Sequence, residues 1–226
     1  LTGTTTADGD AVSISAGGSI NGAGTVTAAD VTLIGGTGVG DTTALSLAAD
    51  RVTVQNAAGN VAINSALPRP VTVASITHSG AGNIALIHTG GPLTVDSVSA
   101  AGGTVTINAT AGPLTTGAIN SVNGAVTLSS TGGALTAEGP VTTGAGAIAL
   151  TTTSADVNVI GALTAGGVSN ITLTTITAGN ITVAGVVTAA GATVTVDSAG
   201  TVDGPGLITA GTVALTATGA IGENER

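Results

Sequence analysis

Residues 105–128 read VTINATAGPLTTGAINSVNGAVTL, and this stretch decides the fold. It opens on Val105-Thr106-Ile107 and closes on Val126-Thr127-Leu128, the same apolar-polar-apolar pattern 21 residues later. In an extended chain that alternation sends the first and third side chains to one face and the middle one to the other. Two more short apolar segments, at Leu114 and Ile119, lie between the triplets. Gly112-Pro113 and Asn123-Gly124 separate them, residues that preset a turn or accept positive φ. One period therefore holds three short strands and their corners.

The period extends in both directions. Matching triplets stand at Ile84-Ala85-Leu86, Ile148-Ala149-Leu150, Ile171-Thr172-Leu173, Val194-Thr195-Val196 and Val213-Ala214-Leu215, so that successive steps from Ile84 are 21, 21, 22, 23, 23 and 19 residues. A second series follows at Leu93, Leu114, Leu135, Val157, Ile181 and Val202, and a looser third at Val98, Ile119 or Val122, Val141, Leu163, Val186 and Leu207. Pro92 and Pro113 fall one period apart, each just before a Leu-Thr strand, where a missing N–H costs a ladder least. A sandwich does not require such equivalence from period to period, whereas a coil does. The spacing predicts an all-β parallel β-helix, a β-solenoid with three short strands per turn of 21–23 residues and roughly ten turns. Equivalent aliphatic residues then stack at about 4.8 Å per turn. The chain has no Phe, Trp or Tyr, as expected of a narrow interior that repeats the same small side chains.

A longer repeat overlies the short one. Residues 12–41 align without a gap to residues 194–223, an offset of 182, with Gly18, Gly22, Gly24, Thr27, Ala28, Val31 and Leu33 matched by Gly200, Gly204, Gly206, Thr209, Ala210, Val213 and Leu215. The expected organisation is one continuous solenoid over residues 1–226, a fragment of a longer tandem array flanked by more solenoid on both sides. Residues 41–83 keep no single register, and Leu67-Pro68-Arg69-Pro70 interrupts them, so a bulge or lateral loop is expected there.

Composition limits what such a coil can do. Only 7% of residues are charged, and a net charge of −9 repels nucleic acid rather than gathering it. No apolar run approaches the ~20 residues of a membrane helix. With no Cys, no Met and no Trp the chain offers little to oxidants, and its internal basic residues are only Arg51 and Arg69, the latter followed by Pro70. Those features fit an exposed extracellular life.

The phrases Gly179-Asn180-Ile181-Thr182-Val183, Thr188-Ala189-Ala190-Gly191, Val213-Ala214-Leu215-Thr216-Ala217 and Thr218-Gly219-Ala220-Ile221-Gly222 resemble the repeats of filamentous-haemagglutinin-type adhesins and related autotransporter-like bacterial surface proteins. The resemblance implies a right-handed parallel β-helix exported to the cell surface, and it brings no catalytic or ligand residue with it.

The residues themselves nominate no site: no catalytic, cofactor-binding or metal-ligating residue is expected. Asp8-Gly9-Asp10 has two carboxylates where calcium needs more oxygens. His78 and His88 have no acidic or thiol neighbours at ligand spacing and are expected at the surface near corners. Gly35-Gly36-Thr37-Gly38-Val39-Gly40 lacks the Lys and following helix of a phosphate loop. No base is placed to activate a Ser or Thr, so no enzyme is expected. An outward column of Thr32, Thr53, Thr106, Thr127, Thr172 and Thr195 raises ice binding as an alternative, weakened by Ala85, Ala149 and Ala214 between them. Asn108-Ala109-Thr110, Asn170-Ile171-Thr172 and Asn180-Ile181-Thr182 are formal glycosylation triplets, expected by composition in so Thr-rich a chain. The expected role is a structural segment of a bacterial surface filament or adhesin stalk, its first partners further copies of itself, with cell-surface or matrix proteins as further candidates. The alternative is a binding module working through the irregular region.

Overall fold

The computed structural model describes residues 1–222, apart from the side chain of Asp8; Glu223, which closes the 182-residue alignment, lies outside the described residues. Those residues form 22 strands and no helix, and every strand pairing is parallel. The chain is a parallel β-helix of about ten turns.

From Ile84 onward the coil has three walls. Strands Ile84–His88, Val105–Ala109, Val126–Ser130, Ile148–Thr152 and Ile171–Thr175 make the first, with each triplet in register on the next. Leu135–Ala137, Val157–Val159 and Ile181–Val183 belong to the second, Val141–Thr143 and Leu163–Ala165 to the third. In the lower turns, Leu93–Ala100 and Leu114–Ser121 run through both the second and third walls as single strands.

Burial follows the alternation. In Val126–Ser130, Val126, Leu128 and Ser130 are buried while Thr127 and Ser129 face outward. The stacked inward residues of all three walls form one aliphatic core along the axis. The third series is corrected in its upper turns: Val187 is buried and Ile208 packs on the core, whereas Val186 and Leu207, expected there, are exposed; of Ile119 and Val122, Ile119 is the buried one. In register, Leu163 stacks on Val187 and Val187 on Ile208.

The two sequence copies do not occupy the same wall. Val194 stacks down through Ile171, Ile148, Val126 and Val105 onto Ile84 of the first wall. Its equivalent Val12 stacks up through Val31, Val52 and Val73 onto Val95 of the second, and Ile14 through Leu33, Val54 and Ile76 onto Val98 of the third. The 182-residue unit thus spans whole turns plus one or two walls. The expected Thr column is divided accordingly. Thr106, Thr127, Ala149, Thr172 and Thr195 stack on the first wall, but Thr32 and Thr53 continue into Ser75 on another.

Corners carry their own ladders. Pro70, Pro92 and Pro113 precede Val71, Leu93 and Leu114, and the N–H groups of Val71 and Leu93 donate to the carbonyls of Pro92 and Pro113 at 2.9 Å. At the entry to the first wall the glycines stack. Gly103 has φ +79°, a region that favours glycine, and a Cβ on Gly124 would lie 1.6 Å from the Gly103 carbonyl oxygen.

Candidate functional site

Residues 41–83 are where the coil departs from its rule. Val61–Ser65 receives two strands from below: Val39 pairs with Val61, while Leu45 and Leu47 pair with Ile63 and Ser65. In Leu45–Asn56 the register slips between Val52 and Thr53, opposite Val73 and Ser75, which opens one strand into the two walls above it.

Beside the junction of Leu45–Asn56 with Val61–Ser65 lies a surface groove of about 510 Å³, whose lining includes Leu47, Asn64, Ser65, Leu67, Ile87 and Thr89. Ser65 is buried at its floor, and Ile87 and Leu67 supply its apolar flank. Around the nearby corner Leu67-Pro68-Arg69-Pro70 is largely exposed, with the Arg69 guanidinium paired to the Asp50 carboxylate. That hydrogen bond and charge raise the Arg69 pKa above its ordinary value. Both side chains are about half exposed, so the pair marks the surface without anchoring it.

The histidines are inside, contrary to the surface position expected for them. His78 is 1% exposed and His88 0%. Each ends a strand whose alternation points it inward: Ile76 precedes His78 by two residues, and Leu86 precedes His88 by two. The burial signal was thus present in the spacing, while residue type argued the other way. His78 Nε2 lies 2.6 Å from the Gly59 carbonyl, and its column is completed by Asn56 below and Ala100 above. His88 lies between Ser65 below and Ala109 above, and neither of its ring nitrogens has a hydrogen-bond partner. Burial pushes its pKa below the ordinary histidine value, against a smaller upward pull from the backbone of Gly91 and Ser65.

The chemistry this arrangement offers is sparse. Ser65 and His88 are cross-turn neighbours, yet the Ser65 hydroxyl is also without a partner, so the pair has none of the hydrogen bonding that activates a nucleophile. No group of three His, Cys, Asp or Glu converges among the described residues. Asp10, Asp197 and Asp203 are exposed; the Asp8 side chain, the other half of the candidate calcium turn, lies outside the described residues. Two glycosylation-triplet asparagines have structural partners: Asn170 and Asn180 accept the backbone N–H groups of Thr193 and Thr201 one turn above, at 3.0 and 2.9 Å. No helix among the described residues is long and apolar enough to cross a membrane.

No protein-family model, curated protein or solved structure matches the chain.

Proposed function

We propose that the chain is a structural segment of a secreted bacterial surface filament or adhesin stalk, giving reach, stiffness and resistance to proteases and catalysing nothing. One observation carries this reading. The inward aliphatic column from Val39 through Val61, Ile84, Val105, Val126, Ile148, Ile171 and Val194 to Val213 keeps register turn upon turn, in a chain that repeats itself after 182 residues. Rows of interstrand hydrogen bonds tie each turn to the next along the axis, which resists bending and local unzipping. The outer surface is mostly small polar residues, and Arg51 is held within the strand Leu45–Asn56.

Tandem copies of the same unit are the first partner in this proposal, with cell-surface or matrix proteins as further ones. The test is an image of the native assembly on the surface of the producing cell. Long continuous rods are the expected result, and isolated short rods overturn the tandem filament. An assay on pectin-like acidic polymers tests the non-catalytic part, since cleavage would make the coil an enzyme.

A second reading has support from the groove beside Leu47, Ser65, Leu67 and Ile87, which joins an apolar flank to an irregular part of the repeat. There the segment is a binding module for a protein on a host or neighbouring cell. Loss of cell adhesion on Ile87→Asp, with the rods intact, would favour it over a purely structural role.

A further inference from the structure

We propose that the turn through His88 is an acid-sensitive joint: protonation of the His88 imidazole opens the ladder across Val61–Ser65, Ile84–His88 and Val105–Ala109 while the turns beyond it stay stacked. The proposal rests on the geometry of this turn and is independent of the filament role.

His88 occupies the last inward position of its strand, where higher turns of the same column carry Ser130, Thr152 and Thr175. Those hydroxyls donate to backbone carbonyls at the corner: Ser130 to Gly112 at 3.0 Å, Thr152 to Ala155, and Thr175 to Gly179 at 3.0 Å. His88 replaces that pattern with a larger ring that has no partner on either nitrogen, and the Ser65 hydroxyl below it has none. Ala109 above leaves room for the ring. A neutral imidazole can occupy such a place at a modest polar cost, whereas an imidazolium there has only the backbone of Gly91 and Ser65 nearby and no carboxylate to balance its charge, too little to offset its burial.

No charged residue on the neighbouring strands answers it. Val61–Ser65, Ile84–His88 and Val105–Ala109 contain no Asp, Glu, Lys or Arg. On Leu93–Ala100 the one charged residue is Asp96, which is exposed. Leu45–Asn56, which pairs with Val61–Ser65, carries Asp50 and Arg51, the first committed to Arg69 and the second exposed. Val71–His78 contributes only His78, held at a different corner against Gly59. The groove lies just outside this turn, lined by Ser65 and by Ile87 and Thr89, the residues on either side of His88.

The direction with pH follows from burial. The imidazole pKa is held below 6.5 in the closed turn and returns to about that value when the turn opens. The closed turn is therefore fully stable above pH 6.5, and it weakens as pH falls from there toward the lowered value, because only the open form takes up the proton in that window.

Hydrogen exchange on the whole chain at about pH 7.5 and about pH 5, corrected for intrinsic exchange rates, tests the joint. Protection of Val61–Ser65, Ile84–His88 and Val105–Ala109 should fall on the order of tenfold at the lower pH, while Ile148–Thr152 and Ile171–Thr175 hold theirs. His88→Ser, which installs the residue type of the higher turns, should remove the difference. Equal protection at both pH values, or the same loss in H88S, would overturn the proposal. Should H88S fold poorly, the wild-type chain decides: loss of protection confined to these three strands and setting in as pH falls below 6.5 upholds the proposal, and a His88 ring pKa at or above 6.5 by NMR overturns it.

Discussion

The side-chain Oδ1 of Asn83 accepts the backbone N–H of Thr104, one turn above, at 2.9 Å, and the Thr104 hydroxyl at 3.1 Å. Asn60 does the same for the N–H of Asn83 at 2.9 Å, and Asp41 for that of Asn60 at 2.7 Å. Four successive turns are thereby tied at the entry to the first wall. A similar series, Asp156 to Asn180 to Thr201, stands at the entry to the second wall. Below it the same corner is held by Pro92 and Pro113.

Asn83→Ala removes an acceptor from the Thr104 N–H and should cost about 1 kcal/mol, because water can reach that exposed corner and replace part of the bond. Asn83→Asp keeps the acceptor, as Asp41 and Asp156 do, and should retain most of the stability. Faster exchange of the Thr104 amide in N83A than in N83D checks this; equal exchange in the two would show that the ladder bond contributes nothing.

Gly124→Ala should be far more damaging than its one methyl group implies. The added Cβ would meet the backbone of the turn below rather than a side chain that can rotate away. Relief requires the turns to separate, at a cost of about 3 kcal/mol. Serine at the exposed Gly18, whose Cβ position is open, is the control and should leave thermal unfolding unchanged.

Leu128→Phe tests why aromatic residues are missing. Leu128 stacks between Ile107 and Leu150 and is fully buried, with the next turn too close to yield space for a ring. Overpacking of about 1–3 kcal/mol is expected, and combining it with Leu150→Ala should restore part of the loss. Circular dichroism melts of the single and double variants check both statements.

How much of this was legible depended on phase. From Ile84 to Val213 the triplets alone fix register, because each keeps its alternation and its distance from the next. The pairs Val186-Val187 and Leu207-Ile208 could not be read that way: adjacent aliphatic residues satisfy either face, and only the stack of Leu163 on Val187 and Val187 on Ile208 selects one. The histidines obey an alternation visible in Ile84-Leu86-His88, but their polarity pointed outward. Wall assignment in the first copy was hidden for a different reason. It depends on counting turns through Leu45–Ser65, where one strand receives two and a register slip inserts a residue.

That assignment can be checked directly, since the chain has no cysteine of its own. By the short repeat, Gln55 and Ile87 hold the same place, each one residue after its triplet Val52-Thr53-Val54 or Ile84-Ala85-Leu86. In the structure Gln55 instead pairs with Thr77, whereas Ile87 pairs with Asn64. Outward neighbours one turn apart in a parallel coil lie about 4.8 Å apart at Cα, within the range a disulfide can bridge. Gln55→Cys with Thr77→Cys should therefore cross-link under mild oxidation, as should Asn64→Cys with Ile87→Cys. Gln55→Cys with Ile87→Cys should stay reduced, because the two positions face different directions. Cross-linking of that last pair would place both sequence copies on one wall and make the 182-residue unit a whole number of turns. Its absence, with the first two bridges formed, means that each further copy of the unit would present its surface on a new wall of the coil, so a feature such as the Asp50–Arg69 corner would wind around the axis rather than line one side.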